Sequence, residues 1–96
     1  MKKILIIFTA LMIISADAFS QTNDFRLGVR YLKLGNTYRE AGQFENAAKY
    51  LNKGQNLVSG KKGWESRYWT AVSNEYLGYL FRDIGMEDES RQYLNA

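Results

Sequence analysis

Beyond residue 20 the chain spaces its apolar residues with the period of a helix, and it does so four times. In "FRLGVRYLKLGNTYREA" Leu27, Tyr31, Leu34 and Tyr38 fall three or four residues apart, which sets them on one stripe of a helix. Asn23 or Asp24 can cap its start. Gly42 stops it, because a glycine just past a helix takes the left-handed conformation at little cost. "FENAAKYLNKGQNLV" resumes the period with Phe44, Ala47, Ala48, Leu51 and Leu57, and the polar, glycine-flanked "SGKKG" reads as a loop. A third helix carries Trp64, Tyr68, Val72, Tyr76 and Tyr79 in register, with Trp69, Leu77, Leu80 and Phe81 beside them, and Gly85 ends it. The fourth, "EDESRQYLNA", opens on Glu87, Asp88 and Glu89, negative charges that favour a helix N-terminus. The turns at Gly42 and Gly85 are too short for anything but antiparallel hairpins, so the pattern predicts an all-α domain of two hairpins.

The first twenty residues do not follow that pattern. Lys2 and Lys3 precede the uncharged apolar run "ILIIFTALMII", and small residues follow at Ala16-Asp17-Ala18 and Ala18-Phe19-Ser20. This is the layout of a secretory signal peptide over residues 1–20, cleaved after Ala18 or Ser20. The run is shorter than the roughly 20 residues that span a bilayer, and it lacks the polar face of a helix lying on a small domain. No cysteine follows it, which removes a lipoprotein anchor. The expectation is a bacterial protein exported to the periplasm or medium. Its domain covers residues 21–96, and it touches a membrane only if the signal peptide is retained.

Composition narrows the chemistry. The chain has neither cysteine nor histidine, so it holds no disulfide, no thiolate or imidazole metal site, and no Cys/His or Ser/His pair. Carboxylates remain, but no spacing arranges them as a site, and neither an enzyme nor a cofactor is expected. Removing Lys2, Lys3 and Asp17 with the signal peptide lowers the formal net charge from +3 to +2, too mild to point to nucleic acid. The charge is uneven: residues 21–63 hold eight Lys/Arg against three Asp/Glu, and residues 64–96 hold three against six.

The two hairpins are copies. "YLKLGNTYREAGQFENAAKYLN" and "NEYLGYLFRDIGMEDESRQYLN" align without a gap at an offset of 43 residues, pairing Leu34 with Leu77, Gly35 with Gly78, Tyr38 with Phe81, Gly42 with Gly85, Tyr50 with Tyr93 and Leu51 with Leu94. The first copy, with Tyr31, Leu34-Gly35, Tyr38, Gly42, Ala47 and Leu51, resembles a tetratricopeptide repeat (TPR). The second keeps Leu77-Gly78, Phe81, Gly85 and Leu94 but has Asn74 where an aromatic is usual and Ser90 where alanine is usual. Neither has the proline that customarily follows the second helix, and the offset exceeds the common period of about 34 residues, as in long-period members. The resemblance implies two units, about 28–60 and 64–96, stacked as a short right-handed solenoid. It also gives Gly35 and Gly78 a role in close helix packing, not in ligand binding.

Such arrays grip a peptide or partner helix in a groove lined by the first helix of each hairpin. The resemblance therefore implies a non-catalytic scaffold or adaptor. By facing, the groove candidates are Lys33, Asn36, Arg39 and Glu40 on the first helix, with Val29 and Leu32, and Tyr76, Tyr79, Arg82 and Asp83 on the third, with Val72 and Glu75. At the repeat offset Arg39 and Arg82 coincide, an arrangement suited to holding a carboxylate. The family's mode of clamping a C-terminal carboxylate is not expected, because Leu32 and Tyr76 stand where it needs polar residues. Trp64, Tyr68 and Trp69 are expected to close the gap between hairpins. The alternatives are a carbohydrate- or surface-binding module using Trp64, Trp69 and Tyr79, or a piece of a longer array. Because repeats cover each other's apolar faces, an uncovered fourth helix with Tyr93 and Leu94 predicts docking on a partner or a homodimer, its acidic hairpin meeting a basic surface.

Overall fold

A computed structural model describes residues 23–96, so the expected signal peptide and its cleavage points lie outside the described residues. The described residues form four helices: α1 (23–40), α2 (Phe44–Val58), α3 (Trp64–Asp83) and α4 (Glu87–Leu94). The fold is all-α, as the apolar spacing requires. Asn23 and Asp24, expected to cap α1 from outside, are themselves helical; both are exposed, where the helix surface tolerates short polar side chains. No helix among the described residues is long and apolar enough to cross a membrane.

The offset of 43 is a structural repeat as well as a sequence one. After α1, the Gly42 amide donates to the Arg39 carbonyl at 3.0 Å and the Gln43 amide to the Tyr38 carbonyl at 2.9 Å, with φ of 77° at Gly42. After α3, the Gly85 amide donates to Arg82 at 3.0 Å and the Met86 amide to Phe81 at 2.8 Å, with φ of 85° at Gly85. Both are the paired bonds of a Schellman terminus, which satisfy carbonyls a helix end leaves open and need a residue without Cβ. Each turn then feeds a helix that returns along its predecessor. A Cβ on Gly35 would lie 2.7 Å from Leu51 Cγ, and one on Gly78 would lie 2.6 Å from Leu94 Cγ. Beside these contacts Tyr38 stacks on Tyr50 with centroids 5.5 Å apart, and Phe81 on Tyr93 at 5.3 Å. Ala47 and Ser90, again one offset apart, are both buried.

Hairpin one is the more closely packed. A Cβ on Gly28 would lie 2.8 Å from Leu57 and Val58, and one on Gly54 2.7 Å from Leu32 and the Gly28 carbonyl, so these glycines let α1 and α2 approach closely. The core comprises Leu32, Ala47, Leu51 and Val58 of hairpin one with Leu77 and Leu80 of α3. Helix α3 runs antiparallel to α2: Ser66 Oγ donates to the Val58 carbonyl at 2.6 Å, and Gln55 Nε2 donates to Ser73 Oγ at 3.0 Å and Asn74 Oδ1 at 2.7 Å.

Two core faces differ from the periodicity. Leu32, expected in the groove, is wholly buried, whereas Leu27 and Leu34 of the expected apolar stripe are partly exposed. Helix α1 contacts α2 through Gly28 and Gly35, and glycines carry no apolar signal in a hydropathy pattern. The buried side of α3 carries Ser66, Ser73, Leu77 and Leu80, while Trp64 and Tyr68 of its aromatic stripe are exposed. Serine reads as polar in sequence, but each buried hydroxyl here is hydrogen-bonded and its small volume lets α2 and α3 approach.

Candidate functional site

Because α2 is antiparallel to both α1 and α3, the two first helices of the hairpins run side by side in the same sense. Their facing residues meet at two levels. Near the C-terminal ends, Arg39 Nη1 donates to Asp83 Oδ2 at 2.7 Å while its Nε donates to Asn36 Oδ1 at 3.0 Å. Asn36 in turn gives its amide to Glu40 Oε1 at 3.2 Å, and Glu40 lies 4.0 Å from Arg39. The Arg39 side chain is only 14% exposed, so its orientation is set by these partners.

Tyr79 sits at the centre of this cluster. The Arg82 guanidinium lies 4.8 Å from its ring centroid and that of Arg39 lies 5.5 Å away, both within cation–π range. Its hydroxyl donates to Glu75 Oε1 at 2.6 Å. That hydrogen bond raises the Tyr79 pKa above the ordinary phenol value, helped by the negative charge of Glu75 and by burial, and the two arginines oppose the shift. Arg82 Nε stands 3.8 Å from the other carboxylate oxygen of Asp83.

Six of the expected groove residues, Asn36, Arg39, Glu40, Tyr79, Arg82 and Asp83, therefore form one connected network. The chain supplies its own carboxylate to the two arginines, since Asp83 lies between them. Their contacts across the groove are diagonal, Arg39 reaching Asp83 and Tyr79, and not level at the repeat offset. Lys33 stands apart, with its ammonium 5.9 Å from the Trp69 ring. Tyr76 leans onto the core.

Toward the N-terminal ends of α1 and α3 the groove opens into a cleft of about 400 Å³. Phe25, Val29 and Trp69 form its apolar wall, Arg26, Arg30 and Lys33 surround it, and Glu65 faces them. Of these, sequence reasoning placed only Lys33 and Val29 in the groove. The spacing of Arg26, Arg30 and Lys33, three and four residues apart, marks them as one stripe and was a usable signal.

The aromatic cluster at the start of α3 divides. Trp69 packs on the core and helps close the gap between hairpins, as expected. Trp64 and Tyr68 do not: they are 67% and 55% exposed. The reason is position, since Trp64 is the first residue of α3 and Tyr68 lies one turn on, on its outer side. Among the described residues no group of carboxylates gathers as a metal site. Comparison with protein-family models, with curated protein sequences and with solved structures returns no match.

Proposed function

We propose that this chain is an exported, non-catalytic protein-interaction module, TPR-like in its two units, which binds a peptide or partner helix along the α1–α3 face. The observation that carries the reading is the repeated contact set, Gly35 with Leu51 and Gly78 with Leu94, which makes α1 and α3 equivalent helices presenting one shared surface. That surface is built of charged and aromatic side chains held by each other, an arrangement suited to recognising a partner.

Site-specific photo-crosslinking tests it. A crosslinker at Lys33 should capture a defined partner in the cell envelope, one at Asn52 on the exposed side of α2 should not, and adding Arg39→Ala/Arg82→Ala should lower the yield at Lys33. Equal capture from both faces, or an undiminished yield in the double variant, overturns the groove reading. The carbohydrate alternative would rest chiefly on Trp64, since Tyr79 lies against two guanidinium groups and Trp69 against Lys33 and the core. Self-association belongs to the same proposal, with support from partly exposed Leu27 and Leu34 on α1 and Leu94 on α4.

A further inference from the structure

The antiparallel order of α1, α2 and α3 brings three segments to one end of the molecule: the start of α1, the loop after α2, and the start of α3. The placement is direct, because Phe25 of α1, Lys61 and Lys62 of the loop, and Trp64 of α3 line a common depression of about 200 Å³. This end carries Arg26, Arg30, Lys61, Lys62 and Arg67, all exposed, against the carboxylates Asp24 and Glu65. The opposite end carries Glu40, Asp83, Glu87, Asp88 and Glu89 against Arg39, Arg82 and Arg91, with Glu87 and Asp88 tied to Arg91 at 3.8 and 3.5 Å. The molecule is thus electrically polar along its helices.

Trp64 and Tyr68 are both more than half exposed at the basic end, one helical turn apart, Trp64 at the edge of the depression and Tyr68 edge-on to Trp69 with centroids 5.3 Å apart. A tryptophan this exposed leaves a large apolar ring in water, and both side chains join an apolar body to a polar tip, the combination that settles at the headgroup level of a bilayer. Cations near an anionic leaflet add to the attraction, each by about fivefold in binding. A peptide ligand is held between walls. Here Trp64 and Tyr68 keep more than half of their surface open at a helix end and the cations come from three elements around them, which suits an extended anionic plane.

We propose that this end docks the protein peripherally on a bilayer of anionic phospholipid, with Trp64 and Tyr68 entering the headgroup region and Lys61, Lys62 and Arg67 against the phosphates. The contact is separate from the Arg39–Asp83 network and does not depend on the interaction reading. Nor does it require the apolar run Ile4 to Ile14, although the chain enters α1 at this same end.

The test uses the full chain with Trp69→Phe, so that Trp64 is the sole tryptophan. Vesicles containing phosphatidylglycerol should shift its emission to the blue and shield it from acrylamide, and vesicles of phosphatidylcholine alone should do neither. Lys61→Glu/Lys62→Glu should weaken the shielding by about 25-fold or more, raised salt should weaken it further, and Arg39→Ala/Arg82→Ala should leave it unchanged. Three outcomes overturn the proposal: Trp64 stays open to acrylamide although the chain sediments with vesicles, which assigns binding to the apolar run alone; neutral vesicles shield it equally; or soluble polyglutamate shields it as well, which makes the end a site for acidic protein.

Discussion

Leu34 and Leu77 occupy the same place in the two hairpins yet differ in exposure, 38% against 1%. Leu77 is buried in the cluster it shares with hairpin one, whereas Leu34 has no equivalent hairpin packed on it among the described residues. If a second copy covers that face, light scattering of the protein should show a dimer at micromolar concentration, and Leu34→Glu should return it to a monomer with its helix content intact. A stably folded monomer of the unaltered chain counts against self-association.

The repeat-equivalent glycines Gly35 and Gly78 should respond differently to alanine. In each case alanine gains about 1 kcal/mol of helix propensity but places a methyl group where overpacking costs about 1–3 kcal/mol. At Gly35 the added atom meets wholly buried Leu51, including its backbone nitrogen at 2.9 Å. At Gly78 it meets Cγ and Cδ2 of Leu94, a residue 43% exposed, and its nearest backbone atom is the Ser90 carbonyl oxygen at 3.3 Å. Urea unfolding should show Gly35→Ala destabilised by about 1–2 kcal/mol and Gly78→Ala within about 0.5 kcal/mol of the parent. Equal losses would mean that Leu94 is held more firmly than its exposure implies.

The Arg39–Asp83 pair links the two hairpins across the groove. A double-mutant cycle with Arg39→Met and Asp83→Asn should give a coupling of about 1 kcal/mol, the upper range for pairs that solvent still reaches, and it should shrink as salt is added. A coupling indistinguishable from zero would show that the network is not what holds α1 against α3.

Tyr79 supplies a pH signature. Its raised pKa means that the folded state binds the phenolic proton more tightly than the unfolded chain does, so its contribution to stability is complete below the ordinary value of 10.0 and is lost as pH rises through the higher folded value. Titration of phenolate absorbance should find Tyr79 ionising above the ordinary phenol value in the folded protein. Glu75→Gln, which keeps a hydrogen-bond acceptor but removes the charge, should lower its pKa.

Ser66 closes one of the carbonyls that the end of α2 leaves without a helical partner, that of Val58. Ser66→Ala should cost about 1–2 kcal/mol by thermal unfolding, since the carbonyl stays buried and loses its donor. Ser66→Thr, which retains the hydroxyl, should recover part of the loss.

Local features of the chain determined the four helices, both glycine turns and the equivalence of the two hairpins. These depend on contacts between near neighbours and on spacings that a single strand of sequence contains: α2 begins at Phe44 and ends at Val58, as its apolar period and the following "SGKKG" require. The faces were less legible. Period alone could not tell that Leu32 is core and Leu34 is not, because α1 packs on two neighbours and shows its contact with α2 through glycines. Asn74 looked like a lapse in the second copy, but it accepts the Gln55 amide from α2, a partner nineteen positions away that only stacking of the hairpins brings near. The candidate groove divides in the same way. Its residues could be assigned to one wall from their spacing, whereas the placing of Asp83 between Arg39 and Arg82, and of Trp64 at a basic end, was decided by tertiary structure, because charge pairing and exposure depend on which helices lie side by side.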